Sequence, residues 1–281
     1  MQPGQPSRTA LGAAGLRAAH QVLDGAAIFK DPLALRVLGA DADALVRDAE
    51  TETDPFRRRL RWFVAARSRI AEDAFAAAVK RGARQLVVLG AGLDTTAYRA
   101  LPSQDLQIFE VDHPSTQAWK RERLVETGIA LPASLTFVPI DFERATLTEG
   151  LGATGFDPAQ QTFFTWLGVV PYLTDNAIFS TLGFMAGLPG GAEVVFDYVN
   201  PPDTMTEPGR RAMHEALVAR VGSIGEQLRN HFDTAALHAR LRGLGFREVE
   251  DFGWPEIAAR FFPGHPVSSG GSAHVLRAST L

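Results

Sequence analysis

Residues 85–99 read QLVVLGAGLDTTAYR, a short apolar run that passes directly into a Gly-x-Gly turn. A strand that enters such a turn brings its backbone close to a neighbouring group, which in an open α/β sheet lies beyond the carboxyl ends of the strands. A dinucleotide-binding fingerprint would have a third glycine at position 95, where this chain has Thr95. That departure weakens a pyrophosphate-binding interpretation and leaves it open. A glycine-rich turn without a ligand is the other alternative.

Four further apolar runs follow the first one, each about one βα unit after the last. They begin at residues 106, 135, 161 and 192, and the stretches between them have helical patterns. Continuous apolar strands that alternate with helices predict a parallel sheet covered on both faces. Two short runs at 246–252 and 272–278, joined by a loop, predict an antiparallel hairpin. The expected fold is therefore α/β, a Rossmann-like, doubly wound, seven-strand, mostly parallel sheet with an antiparallel last strand.

The residues outside the apolar runs predict a helical N-terminal segment and a cap insertion. Residues 1–82 are rich in Ala, Leu and Arg and predict a helical N-terminal segment, with one long helix over residues 56–80. Residues 83–281 form the expected sheet-containing core. A stretch at about 200–230 fits no βα unit and predicts a helical cap insertion over the strand ends. We expect one structural domain overall.

Composition excludes several classes of protein. The 28 Lys and Arg residues against 32 Asp and Glu residues give a net charge of −4, without the clustered basic excess that nucleic-acid binding requires. The absence of cysteine excludes disulfides, thiolate nucleophiles and cysteine-based metal sites. No metal-ligand spacing is present, so no metal is expected. No targeting segment or membrane span is recognisable, so a cytoplasmic protein is expected. The oligomeric state cannot be inferred.

Acidic residues follow the second and third strands. Glu110 and Asp112 share one side of the second strand, and Asp112 comes 20 residues after Gly92. An acid at this spacing is placed to accept hydrogen bonds from ribose hydroxyls, the alternative being a surface carboxylate at a strand end. Asp141 and Phe142 follow the third strand, where a carboxylate and a ring can address an adenine. A capping Asp in a loop is the alternative there.

The sequence also resembles a known family, through five short motifs. These are Arg67-Ser68-Arg69, LGAGLDTTAYR at 89–99, EVDHP at 110–114, IDF at 140–142 and LGVVPYL at 167–173. The motifs resemble the class I S-adenosylmethionine-dependent methyltransferases, and within them the leucine carboxyl methyltransferase-like family with its bacterial relatives linked to polyketide O-methylation. The resemblance extends over roughly residues 8–278. It implies S-adenosyl-L-methionine as the cofactor.

The resemblance also implies a role for individual residues. Gly90 and Gly92 would pass beneath the methionine part of the cofactor, and Arg67 would pair with its carboxylate, with Arg69 as the alternative. Asp112 would hold the ribose, with Glu110 as the less favoured acid, and Asp141 and Phe142 would bind the adenine. The other implied cofactor-binding residues are Asp94, His113, for which a helix start is the alternative, and Leu167. At position 167 the family commonly has an acid that contacts the cofactor near its amino group, so Leu167 is a departure.

The methyl acceptor is less well defined by the sequence. Tyr172 and Tyr198, near the ends of the fourth and fifth strands, are the candidates for positioning it, with core tyrosines as the alternative. A carboxylate acceptor needs no base, whereas a phenol with a pKa near 10 gains from one. The expected function is O-methylation of a small-molecule carboxylate or phenol/hydroxyl, of secondary-metabolite or polyketide type.

Two other functions remain as alternatives. A nicotinamide-dependent oxidoreductase would share the glycine turn and the acid, but Thr95 and the lack of a Tyr-x-x-x-Lys motif argue against it. A non-catalytic cofactor-binding member of the family would be consistent with Leu167. The family resemblance further implies that residues 8–30 act as a lid over the cofactor. A permanently docked packing helix is the alternative for that segment.

Overall fold

A seven-stranded mixed sheet lies at the centre of the protein, in the part of the chain that the computed structural model describes (residues 7–53, 55–99, 105–205, 208–223, 227–262 and 272–281). The strands are β1 (Gln85–Leu89), β2 (Gln107–Asp112), β3 (Leu135–Pro139), β4 (Thr162–Trp166), β5 (Ala192–Val199), β6 (Glu248–Phe252) and β7 (Ala273–Ser279). Their order is β3-β2-β1-β4-β5-β7-β6. Strands β1 to β5 are parallel, and β7 is antiparallel to both β5 and β6. The predicted fold class is confirmed.

Helices cover both faces of this sheet. They are α1 (Arg8–Leu23), α2 (Ala42–Thr51), α3 (Pro55–Arg81), α4 (Pro114–Glu126), α5 (Leu147–Gly152), α6 (Asp175–Ala186), α7 (Pro208–Ser223), α8 (Thr234–Leu244) and α9 (Trp254–Phe261). The long helix predicted before the first strand is confirmed as α3. Helix α9 is a correction, because the sequence predicted only a loop between the last two strands. The Gly- and Pro-rich remainder of that loop, residues 263–271, lies outside the described residues.

Local capping signals set several helix ends. The side chain of Thr174 accepts a hydrogen bond from the backbone N–H of Ala177 at 3.3 Å, and Asp233 accepts one from Ala236 at 2.9 Å. Gly245, with a φ of +110°, ends α8 in the left-handed conformation that glycine adopts without strain. These residues satisfy helix-terminal groups with partners only a few positions away in the chain.

The core consists of apolar layers on the two faces of the sheet. Alternate residues of β4 enter opposite layers, with Phe163 packed towards α3 and Phe164 towards α6. The strand order changes direction between β1 and β4, because β2 lies on one side of β1 and β4 on the other. Ligands of open α/β sheets bind at the carboxyl ends of the strands beside such a switch point. The predicted cap is described in part as α7, and its residues 206–207 and 224–226 are not among those described.

Candidate functional site at the carboxyl edge

The glycine turn after β1 is packed on both sides. Gly90 and Gly92 have positive φ angles of +62° and +44°. A Cβ atom on Gly90 would lie 2.3 Å from Cγ2 of Val169, and one on Gly92 would lie 2.9 Å from the Cβ of Ala10 in α1. Both conformation and space therefore require glycine here. The turn fits closely against the loop after β4 and against the N-terminal helix.

Asp112 ends β2 and ties this strand to the glycine turn. Its Oδ2 accepts a hydrogen bond from the N–H of Gly92 at 2.5 Å, and its Oδ1 accepts one from the N–H of His113 at 2.7 Å. Burial raises the pKa of Asp112 above its usual value, although the two amide donors and Lys120 oppose that shift. Each carboxylate oxygen has a second lone pair, so Asp112 can still accept a hydrogen bond from a ligand hydroxyl.

Glu110 lies on the same side of β2 but below the edge of the sheet, and it is only 1% exposed. Its Oε2 accepts a hydrogen bond from the Tyr98 hydroxyl at 2.9 Å and lies 2.7 Å from Nζ of Lys120. Its Oε1 is buried with no hydrogen-bond partner among the described residues. Burial raises the pKa of Glu110, and Lys120 counteracts the shift. The structure therefore places Glu110 in an enclosed ion pair, whereas Asp112 reaches the edge.

His113 and Asp141 come from separate sequence motifs and lie next to each other in the structure. His113 is the N-cap of α4, with its Nδ1 2.8 Å from the hydroxyl of Ser115. Its Nε2 is 3.9 Å from Oδ2 of Asp141, which follows β3 and is partly exposed. Phe142 packs against Trp166 with the ring centroids 6.3 Å apart. The ends of β2 and β3 thus bring three predicted residues together with Asp112.

Arg67 of α3 is held by a carboxylate that the sequence analysis did not identify. Its Nη1 donates a hydrogen bond to Oδ2 of Asp197 at 2.9 Å, and Oδ1 of Asp197 accepts one from the N–H of Gly168 at 2.5 Å. Asp197 lies in β5 and is 5% exposed. This one carboxylate therefore connects α3, the turn after β4 and the end of β5. In the sequence, the only feature that could have identified Asp197 is its position as a carboxylate among the apolar residues at the end of the fifth strand.

Arg69, the alternative to Arg67, lies elsewhere. Its Nε donates to Oδ1 of Asp73 at 2.8 Å, and its side chain is 50% exposed on the outer surface of α3. Arg67 is instead 12% exposed beside the strand ends. Position in the fold therefore favours Arg67 as the arginine available to a ligand at this edge.

Asp94 and Leu167 line a small cavity between α3, the turn after β1 and the end of β4. Thr95, which stands where a dinucleotide fingerprint has glycine, lines the same cavity. Its hydroxyl donates to Oδ2 of Asp31 at 2.8 Å. Glu72 of α3 is also part of the lining. The cavity therefore contains a carboxylate from α3, although Leu167 contributes none.

Buried charges surround this cavity and attach α1 to it. Arg17 of α1 donates to the carbonyl of Leu93 at 2.6 Å and lies 3.4 Å from Oδ2 of Asp31. Arg99 forms ion pairs with Asp31, at 3.7 Å, and with Glu72. The sequence predicted no role for any of these four charged residues. The sequence gives little indication that these residues are buried together, because each is an ordinary charged residue within its own segment.

The charges shift the pKa values of the two carboxyl groups that face the cavity. Burial opposes ionisation of Asp94, but the positive charges of Arg17, Lys120 and Arg99 outweigh it and hold its pKa below the usual value. Burial raises the pKa of Glu72 despite its pairing with Arg99. The cavity therefore contains two carboxyl groups whose pKa values are shifted in opposite directions, beside two arginines that are already paired with carboxylates.

The two candidate acceptor tyrosines have different surroundings. The Tyr198 hydroxyl donates to Oδ2 of Asp251 at 2.7 Å and lies 2.8 Å from Oγ1 of Thr234. Tyr198 is 1% exposed on the face of the sheet that carries α6 and α8, opposite to the face of Arg67. Burial raises its pKa. Tyr172 is half-buried in the short helical turn after β4. The role of both as acceptor-positioning residues stays a prediction.

In the described ranges of the chain, no group of three or more His, Asp and Glu side chains could hold a metal ion. None of the helices there is both long and apolar enough to cross a membrane.

The chain is similar in sequence to several known proteins. The family model for leucine carboxyl methyltransferases matches residues 10–186. The Bacillus subtilis protein YktD, named as a candidate S-adenosyl-L-methionine-dependent methyltransferase, is 34% identical over 183 residues, which are 64% of this chain and 60% of that protein. A Mycolicibacterium smegmatis protein with the same kind of name is 30% identical over 237 residues, or 80% of this chain and 71% of that protein.

A solved structure has the same fold. The duf574 family protein from Streptomyces avermitilis aligns over 95% of this chain and 97% of its own, with a TM-score of 0.54 and 14% sequence identity. The chain spans less than two thirds of the B. subtilis relative's length.

Proposed function

The chain belongs to the leucine carboxyl methyltransferase family, and from this premise we propose that it is an S-adenosyl-L-methionine-dependent methyltransferase. We propose further that it methylates an oxygen atom of a small molecule, either a carboxylate or a phenol/hydroxyl of secondary-metabolite or polyketide type. The relatives named as candidate S-adenosyl-L-methionine-dependent methyltransferases support the first part. The second part rests on the sequence resemblance and on the chemistry of the site.

The hydrogen bond between Asp112 and Gly92 is the observation that carries this proposal. It places the acid of β2 directly against the glycine turn of β1, at the switch point of the sheet. Glycines that allow close approach, next to an acid that accepts from hydroxyls, form a site shaped for a nucleoside. A surface carboxylate without a ligand would gain nothing from this burial, since burial disfavours its charged form.

The residues at the edge fit the parts of the cofactor. Asp112 would accept from the ribose hydroxyls, and Asp141 with Phe142 would bind the adenine amino group and ring. Arg67 would bind the carboxylate, because a guanidinium has five N–H donors and can bridge Asp197 and a second anion. The cofactor supplies a methyl group on a positively charged sulfur, which an acceptor oxygen attacks in line. The protein's contribution is to align the two molecules and exclude water.

Calorimetric titration of the full chain with S-adenosylhomocysteine tests this function. We expect saturable binding, and no binding of NADH in a parallel titration, because Thr95 stands where a dinucleotide-binding fingerprint has its third glycine. Binding of NADH alone would support the oxidoreductase and contradict our proposal. A transfer assay with radiolabelled methyl donor and a panel of phenols and carboxylic acids tests catalysis. Cofactor binding without transfer to any member of the panel would favour a non-catalytic protein.

A further inference from the structure

A second cavity lies between the start of α3, helices α7 and α9, and the start of β7. Its lining is mainly apolar and includes Phe56, Leu60, Phe63, Leu217 and Trp254. The cavity is open to solvent and its volume is small, about 50 Å³. Small-molecule sites are typically apolar clefts that contain a few polar groups. The lining therefore fits the apolar part of an organic molecule.

This cavity is at the same edge of the sheet as the proposed cofactor site. Ala273, at the start of β7 and in the cavity lining, pairs with Val199 at the end of β5. Trp254 follows the end of β6, which runs in the same direction as β5. Phe63 precedes Arg67 by four residues on α3, which is about 6 Å along the helix axis. The cavity therefore lies at the same edge of the sheet, and along the same helix, as residues proposed to hold the methyl donor.

The polar corner of the cavity contains a pair of histidines. Ser272 lines the cavity, and its hydroxyl is 3.3 Å from Nδ1 of His214 in α7. His214 is 4% exposed, and its ring lies 5.1 Å from the ring of His231. Nε2 of His231 is buried with no hydrogen-bond partner among the described residues. Burial lowers the pKa of both imidazoles. At His214 the neighbouring His231 adds to this effect and Glu215 opposes it, and the pKa stays below the usual imidazole value, so the neutral form dominates at pH 7.

We propose that this cavity binds the methyl acceptor, and that the acceptor is an apolar aromatic molecule with a phenolic hydroxyl directed at Ser272. The inference rests on the proposed function. His214 is a positioning residue that acts through Ser272, whose hydroxyl accepts from the phenol and donates to Nδ1. As the phenol oxygen bonds to the methyl carbon, the carbon–sulfur bond breaks and sulfur keeps the electron pair. The phenol proton passes to His214 through Ser272, which leaves an aryl methyl ether, a neutral thioether and an imidazolium.

The polarity of the corner favours a phenol over a carboxylate. A carboxylate moved into an apolar cavity needs a positive charge beside it, whereas a phenol is neutral when it binds. Ser272 and the two histidines supply no charge at pH 7, and a neutral imidazole is the group that a phenol requires as a base. Arg59 also lines the cavity, so a carboxylate would bind beside Arg59 and not at Ser272. The test therefore compares a phenol probe with a carboxylate probe.

Binding of 2-naphthol to the full chain, followed by its fluorescence, tests the inference without turnover. We expect 2-naphthol to bind about tenfold more tightly than 2-naphthoate. Leu217→Trp fills the cavity and should weaken 2-naphthol binding about tenfold. Val218→Trp is the matched control, because Val218 is the next residue of α7 and is 45% exposed. It should leave the affinity unchanged. Equal binding by the Leu217→Trp variant, or tighter binding of 2-naphthoate, would overturn the inference.

Two further measurements separate this inference from the proposed function. Both tryptophan variants should bind S-adenosylhomocysteine as the unmodified chain does, which also shows that they fold. If 2-naphthol binds and S-adenosylhomocysteine does not, the proposed function fails; if the reverse holds, the acceptor assignment fails. In the pH profile of 2-naphthol methylation, the ordinary enzyme should lose rate as the pH falls through the pKa of His214, which burial holds below the usual imidazole value. His214→Gln should abolish this loss of rate at low pH, and it should lower kcat more than it raises KM. An unchanged pH profile in His214→Gln would contradict proton transfer to His214 through Ser272.

Discussion

Asp112 has two tasks in the proposed site, because its carboxylate binds backbone amides and must also accept from ligand hydroxyls. The amides of Gly92 and His113 fix its orientation before any ligand arrives. Glu110, only two residues earlier, is enclosed by Lys120 and Tyr98. Adjacent acids of one strand therefore have different functions, and the difference depends on depth below the edge of the sheet.

We expect Asp112→Ala to weaken S-adenosylmethionine binding by about 1–3 kcal/mol, the cost of leaving buried donors unpaired. Calorimetry measures the effect. Asp112→Asn keeps one acceptor oxygen and should lose less affinity. Glu122→Ala, which removes an exposed carboxylate of α4, serves as the control and should bind normally. Unchanged affinity in a folded Asp112→Ala variant would exclude the ribose assignment.

At the scale of elements, α1 is a helix that contacts the proposed site directly. Ala10 lies against the glycine turn, and Arg17 donates to the carbonyl of Leu93 in the same turn. A helix that contacts a ligand site can open and close with the ligand, as lids do. The same contacts are compatible with a helix that stays docked.

Hydrogen exchange with and without S-adenosylhomocysteine separates a lid from a docked helix. We expect residues 8–30 to gain protection when the ligand binds, because closure over the cofactor removes their amides from solvent. Helix α8, which packs on the other side of the sheet, is the internal control and should not change. High and equal protection of residues 8–30 in both states would identify a permanently docked helix.

The last strands are joined by a polar cluster around Asp251. Its Oδ1 lies 2.6 Å from Nδ1 of His274 in β7, and its Oδ2 accepts from Tyr198 in β5 at 2.7 Å and lies 3.1 Å from Nε2 of His238 in α8. Burial alone would raise the pKa of Asp251, but these hydrogen bonds outweigh it and lower the pKa. One ionised carboxylate thus stabilises the contact of β5, β6, β7 and α8.

This pKa direction predicts how stability depends on pH. A carboxyl group with a depressed pKa in the folded state adds stability above its unfolded value, near 3.8, and that stability is lost as pH falls through the folded value. The urea midpoint should therefore fall below about pH 4. The urea midpoint of Asp251→Asn should already be lower at pH 7, and it should fall less between pH 7 and acid pH. Asp48→Asn, at an exposed position in α2, is the control and should unfold like the unmodified chain. If Asp251→Asn lost stability in acid as much as the unmodified chain does, ionisation of Asp251 would not be the cause.

At the scale of the whole molecule, the central strand β4 connects the two apolar layers. Phe163 and Phe164 are both fully buried, and each enters a different layer. Helix α3 of the N-terminal segment packs against β4, β5 and β7. We therefore expect the N-terminal segment and the sheet to unfold together as one domain.

Phe163→Ala should lower the free energy of unfolding by about 3–5 kcal/mol, because it leaves a cavity in a closely packed layer. Val125→Ala, at a position that is 79% exposed, is the control and should change stability by about 0.5 kcal/mol or less. Urea unfolding followed by circular dichroism and by tryptophan fluorescence measures both variants. Separate transitions for the two probes would show that the N-terminal segment unfolds as a unit of its own.

The sequence by itself determined the strands, most helices and the acids of the edge. These features depend on residues close together in the chain, such as the apolar run at 85–89, the cap at Thr174 and the stop at Gly245. Burial of whole strands produces continuous apolar runs, and helix ends need local partners, so both leave a signal that a single sequence can show.

Only the tertiary structure decided which charged and polar groups meet. Arg67 and Asp197 are 130 residues apart in the chain, and His214 and Ser272 are 58 apart. Each of these residues is ordinary within its own segment, because a buried ion pair or hydrogen bond is defined by two elements that pack together. The energy of such a contact depends on the burial and distance of both partners. Those quantities exist only once the helices lie against the sheet, which is why Asp197 and the histidine corner were found in the structure.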